Sequence, residues 1–162
     1  MGSRIRRALP PVLLVSCLAA AASPARAGDV TAFVTFPSPS DPWARGYGAA
    51  LTSTWFGTAA LEAEAARVPL DSAEGTMTSF TANALLAPPI GALVPYVGFG
   101  IGIYRQSVSN LGETSMLRTF VVGAKLRLGL LVVRGDYRKL SLRGNPLLPM
   151  DRRVSIGAGI TF

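Results

Sequence analysis

The strictest constraint in this sequence is a period of two. In Arg153-Val154-Ser155-Ile156-Gly157-Ala158-Gly159-Ile160-Thr161-Phe162, the apolar Val154, Ile156, Ala158, Ile160 and Phe162 share one parity, and Ser155, Gly157, Gly159 and Thr161 share the other. Strand side chains alternate between faces, so such a segment has one apolar face and one small, polar face. As the edge of an open sheet it would be ready to pair with another chain, whereas a closed barrel pairs its last strand with its first.

Hydropathy says which solvent that barrel meets. Hydrophobic residues make up 49% of the 162 and charged residues 15%. Mean hydropathy is +0.38, but no apolar run reaches the roughly 18 residues that a membrane helix needs. High hydropathy divided among short alternating segments fits a transmembrane barrel.

Residues 1–27 have the form of an export signal. Arg4, Arg6 and Arg7 precede an apolar stretch from Ala8 to Ala22, and Ala25-Arg26-Ala27 is a small-x-small cleavage site ahead of Gly28. Leu14-Val15-Ser16-Cys17 also has the shape of a lipobox, which would put a lipid on Cys17 instead; removal at Ala27 takes the whole Ala-rich run in one cut. The expected domains are a cleaved signal over 1–27 and a barrel over 28–162. The signal holds four of the 16 basic residues and none of the 9 acidic ones, so 12 basic residues remain and the net charge falls from +7 to +3. Most of the case for a nucleic-acid partner goes with it. The single cysteine lies in the signal too, so the exported chain cannot rely on disulfides.

Eight alternating segments are expected: Val30–Phe36, Tyr47–Phe56, Ala59–Arg67, Met77–Ala87, Pro95–Arg105, Leu117–Leu128, Leu131–Leu140 and the final stretch. The third has the composition of a helix, but Leu61, Ala63 and Ala65 alternate with Glu62 and Glu64, and both neighbours alternate, so we read a strand. Gly129-Leu130 suits a two-residue type II′ turn with glycine at positive φ. Asn110-Leu111-Gly112-Glu113 reads as a loop. Connections of alternating length suggest short periplasmic turns, longer outer loops and both termini in the periplasm. The fold class is therefore all-β, an eight-stranded antiparallel transmembrane up-and-down barrel.

Parity sends Glu62, Glu64, Lys125, Arg127, Arg134, Asp136 and Arg138 inward. A turn at Gly129-Leu130 sets Lys125 opposite Arg134, a repulsive pair that needs carboxylates nearby. Glu62 and Glu64, across the barrel, are expected to supply them in a salt-bridge cluster that blocks the pore. Arg45, Arg67, Arg105, Arg118, Lys139 and Arg152 fall on the outward parity near the loop ends, where basic side chains can snorkel to anionic headgroups. Trp43 and Trp55 fit interfacial belts. Gly98-x-Gly100-x-Gly102 lies inside a strand with no helix after it, which is the wrong context for a nucleotide site. There the glycines are expected to make room for larger side chains from across the lumen. Without histidine, Ser-His and His-metal sites are impossible, and no catalytic, cofactor-binding or metal-ligating residue is proposed.

Pro95-Tyr96-Val97-Gly98-Phe99-Gly100-Ile101-Gly102, Gly123-Ala124-Lys125-Leu126-Arg127-Leu128, Arg134-Gly135-Asp136-Tyr137-Arg138 and the final Phe162 resemble the small OmpA/OmpX-like outer-membrane barrels. The resemblance covers residues 28–162 in pattern, with its specific residues mostly after Pro95. It implies that Ile156, Ala158, Ile160 and Phe162 form a sorting signal read by the barrel-assembly machinery. That family includes barrels with a periplasmic domain attached; with the barrel taking up residues 28–162, no peptidoglycan-binding domain is expected in this sequence.

The expected protein is a non-enzymatic, monomeric outer-membrane component with no cofactor and no nucleic-acid partner, in contact with outer-membrane lipid, including lipopolysaccharide phosphates. The alternatives are a narrow channel for small or hydrophobic solutes and a soluble, lipocalin-like periplasmic barrel.

Overall fold

The computed structural model describes residues 28–38, 45–70, 75–108, 111–144, 146 and 150–162. The segment expected to be the signal, with Ala25, Ala27 and Cys17, and Trp43 lie outside them. Eight strands follow in order: β1 (Gly28–Ser38), β2 (Gly46–Trp55), β3 (Ala59–Leu70), β4 (Gly75–Leu86), β5 (Leu93–Val108), β6 (Leu111–Leu128), β7 (Leu131–Leu142) and β8 (Arg152–Thr161). Each pairs antiparallel with the next, and β8 pairs with β1 to close a barrel. At the seam, Gly28 N–H donates to Phe162 O at 2.8 Å and Phe162 N–H donates to Gly28 O at 2.9 Å.

The alternating pattern prevails over local propensity in β3, where Glu62 and Glu64 are buried while Leu61 is exposed. Turn chemistry is local: Gly129 takes φ 65° in the turn that sets Leu128 opposite Leu131, and Gly91 takes φ 63° between bridged Ile90 and Leu93. Connections 56–58, 87–92 and 129–130 lie at one end of the barrel, here called the turn end, together with Gly28 and Phe162. The strand ends at Ser38, Gly46, Leu70, Gly75, Val108, Leu111, Leu142 and Arg152 lie at the opposite, loop end.

One expected loop is a strand. Leu111, Gly112 and Glu113 pair with Val108, Ser107 and Gln106, so the β5–β6 hairpin is regular almost to its tip. β7 begins to pair with β6 only at Leu117; residues 111–116 therefore rise above it, paired with β5, while Arg143 N–H, just past β7, donates to Met116 O at 2.9 Å. The alternation in connection length is correspondingly weaker than expected, because this outer excursion is made of strand.

The usual partition of residues is inverted. Phe99, Ile101, Phe80, Ile156 and Ile160 are exposed on the outer wall, while charged side chains are buried within. Two apolar layers bracket those charges. Ala60, Leu85, Ala87, Val94, Tyr96 and Val121 cluster towards the turn end, and Val68, Met77, Tyr104, Leu117, Leu140 and Met150 cluster towards the loop end. Met150 is brought in by the chain between β7 and β8, which is tied back by Leu140 N–H to Asp151 O at 2.6 Å and Tyr104 Oη–H to Arg143 O at 2.9 Å.

The strand glycines make room, but for neighbours on adjacent strands and not from across the lumen. A Cβ on Gly100 would strike the Asn83 amide and the Thr119 hydroxyl, and one on Gly98 would strike Leu85. A Cβ on Gly123 would meet the Asp136 side chain and the Tyr96 ring. Overpacking costs about 1–3 kcal/mol, so Gly123→Val should lower the urea midpoint of barrel unfolding in lipid vesicles, with Ala124→Val, on the outer wall, as the control.

Candidate functional site

The site is the lumen. Inward parity delivers a charge from each of five strands: Asp29 on β1, Glu62 and Glu64 on β3, Lys125 on β6, Arg134, Asp136 and Arg138 on β7, and Arg153 on β8. Among the described residues these are the buried charged side chains, four acids and four bases.

They form two units. In the larger, Arg134 Nη1 donates to Glu62 Oε2 at 2.8 Å and its Nη2 donates to Asp136 Oδ2 at 2.7 Å. Arg138 bonds Glu62 Oε1 at 2.6 Å, Glu64 Oε2 at 2.7 Å and Asp136 Oδ1 at 3.0 Å. Arg153 pairs with the remaining oxygen of Glu64. Neutral groups complete the shell: Tyr96 Oη–H donates to Asp136 at 3.0 Å, Asn83 Nδ2 donates to Glu62 at 3.3 Å, and Thr119 Oγ1 donates to Asn83 Oδ1 at 2.6 Å. In the smaller unit, Lys125 Nζ lies 2.8 and 2.9 Å from the Asp29 carboxylate oxygens and 2.7 Å from Thr52 Oγ1.

Lys125 and Arg134 are register partners, yet they turn to different carboxylates. Tyr96 stands against both: each cation centre is 5.7 Å from its ring centroid. The ring's negative face attracts cations, so a pair that repels as drawn in sequence is offset by a shared aromatic contact and separate counterions. Arg134 also lies 5.7 Å from the Phe33 ring centroid.

Of the residues singled out from sequence, Glu62, Glu64, Arg134, Asp136 and Arg138 come together, and Lys125 stands beside them with its own partner. Arg127 does not join. It is half-buried near the turn end, and its Nε has no hydrogen-bond partner among the described residues. Asp29 and Arg153 were missed. Asp29 precedes the alternating stretch at Val30, although it has the inward parity of Thr31; Arg153 was signalled by its alternation with outward Arg152.

The outward basic residues Arg45, Arg67, Arg105, Arg118, Lys139 and Arg152 are all exposed. They form groups more than a uniform collar. Arg67 and Arg105 are both register partners of Thr78, while Lys139 is opposite Arg152, which pairs with Asp151 at 3.0 Å. Trp55 donates Nε1–H to Ser53 Oγ at 3.0 Å at the turn end.

No family model matches the sequence, and no curated protein matches it. Solved structures do. Neisserial surface protein A superposes with a TM-score of 0.61 at 14% identity, covering 84% of this chain and 94% of that one. The N-terminal β-barrel domain of Pseudomonas aeruginosa OprF gives 0.59 at 17% identity, covering 84% and 97%. The fold is that of the small outer-membrane barrels. The outer membrane enzyme PagL shares it as well, at a TM-score of 0.53 and 18% identity over 83% of this chain and 98% of that one, so the architecture alone does not decide whether a chain is catalytic.

Breaking a buried ion pair by removing one partner costs about 3–5 kcal/mol, because the other charge is left uncompensated. Glu62→Gln, which leaves Arg134 and Arg138 each one carboxylate short, should lose stability on that scale in urea unfolding followed by the heat-dependent gel shift. Lys139→Gln on the outer wall should stay within about 0.5 kcal/mol.

Proposed function

We propose that this protein is an integral outer-membrane barrel with a structural or surface-interaction role in the cell envelope and no catalytic activity. The observation that carries the reading is the inverted partition: a closed ring with an apolar outer wall and an ion-paired interior suits lipid outside and no ligand inside. The export signal supports the destination. The orientation follows from the connections, with the turn end in the periplasm and the loop end outside. Phe56, Ile90 and Leu130 at the tips of the three short turns are exposed, which suits turns that rest in the membrane interface.

The lumen argues against the two rivals. A conduit needs a continuous path, whereas the ion pairs are closed above and below by apolar layers and an eight-stranded interior is about filled by side chains. A soluble ligand-binding barrel needs an apolar cavity inside and a polar wall outside, the reverse of what is found. Catalysis has little to work with: the buried carboxylates are committed to ion pairs, and the sequence lacks histidine. At the loop end, the exposed basic residues are suited to lipopolysaccharide phosphates. At the seam, Phe162, with Ile160, Ala158 and Ile156, is suited to recognition by the barrel-assembly machinery.

Cell fractionation with boiled and unboiled gel migration tests the reading. The mature chain should begin at Gly28, sediment with outer membranes and shift on heating; recovery in the periplasm without a shift would overturn it. Planar bilayers should show no discrete conductance steps, and deletion of Phe162 should abolish membrane assembly.

A further inference from the structure

The outer wall is not evenly bulky. Where β2, β3 and β4 run side by side, register sets Ala49 opposite Ala65 and Ala63 opposite Ala82. These alanines floor an open groove of about 520 Å³ in the apolar wall. Leu51 and Val30 bound it on one side, and Phe80, Ile101 and Ile103 on the other. The volume lies in the roughly 300–1,000 Å³ range of small-ligand sites.

The loop end of the groove is basic. Arg67 follows Ala65 by two residues and Arg105 follows Ile103 by two, so both point outward just beyond the apolar walls. Both are register partners of Thr78, which places them two strands apart at one level, about 9.5 Å between strand axes. Both are exposed, and neither is in an ion pair among the described residues. Tyr47, opposite Arg67 and exposed, adds an interfacial aromatic to the same row.

We propose that this groove is a binding site for one lipid A molecule of lipopolysaccharide, with a phosphate held between Arg67 and Arg105 over Thr78 and an acyl chain lying on the alanine floor. The charge pattern selects the occupant: guanidinium forks bind phosphate by paired, charge-assisted hydrogen bonds, and the apolar groove begins where such a headgroup would end. The choice of lipopolysaccharide over phospholipid rests on the outer-membrane orientation proposed above, in which the loop end faces the outer leaflet. The site differs from a diffuse basic collar in requiring both the arginine pair and the groove beside it.

The test uses the barrel folded in phosphatidylcholine nanodiscs, with bound lipid read by native mass spectrometry. The probes are lipid A, dephosphorylated lipid A and phosphatidylglycerol. Wild type should retain lipid A at least about fivefold better than either competitor, the scale of a few exposed charge contacts. Arg67→Gln with Arg105→Gln should remove that preference, and Ala63→Leu with Ala65→Leu, which fills the groove, should do the same with every charge intact. Arg118→Gln with Lys139→Gln removes equal charge elsewhere and should change retention less than about twofold. Equal retention of phosphatidylglycerol, unchanged binding in the filled variant, or an equal loss in the Arg118 and Lys139 variant would each overturn the proposal. Folding of every variant is checked by heat-dependent migration, and Ala65→Leu alone replaces the double variant if that fails to fold. A wild type that shows no heat shift before lipid is added would instead overturn the membrane reading.

Discussion

The architecture depends on charge neutrality inside a narrow ring. Eight strands enclose a lumen that side chains fill, and here much of the filling is ionic. A buried charge without a partner is costly, so each fully buried Lys or Arg commits the chain to an inward Asp or Glu at a reachable height. Glu62 and Asp136 meet this demand by each bridging Arg134 and Arg138, and Glu64 joins Arg138 to Arg153. Guanidinium donors of Arg138 and Arg153 remain without a partner among the described residues. The network therefore has no acceptor to spare.

The other features serve the same arrangement. Strand glycines let Asn83, Thr119, Tyr96 and Asp136 sit where a Cβ would obstruct them. The apolar layers at both ends keep the ion pairs from water, which strengthens them electrostatically. With polar side chains gathered inside, the outer wall is left apolar, and its variation in side-chain size forms the alanine-floored groove.

Much of this was legible in the sequence because strand parity is a strictly local property. Parity assigned Glu62, Glu64, Lys125, Arg134, Asp136 and Arg138 to the lumen, and the glycine at the 129–130 turn set Lys125 opposite Arg134. Partner choice was not legible, since it depends on strand tilt and stagger around a closed ring. Lys125 finds Asp29 and not a β3 glutamate for that reason. Asp29 escaped notice because a strand's first residue has little pattern around it. Leu111-Gly112-Glu113 read as a loop because turn-forming residue types cluster there, but pairing with β5 supplies backbone hydrogen bonds that residue type does not reveal.

The carboxylates and their cations are far apart in the chain: Glu62 is separated from Arg138 by 76 residues and Glu64 from Arg153 by 89. A sheet grown only as far as β4 has both glutamates on its concave face and none of the three arginines that neutralise them. Adding β7 satisfies Glu62, and adding β8 completes Glu64. The network is therefore complete only when β3, β7 and β8 are all in the ring. These contacts tie strands distant in sequence into one charge-balanced unit.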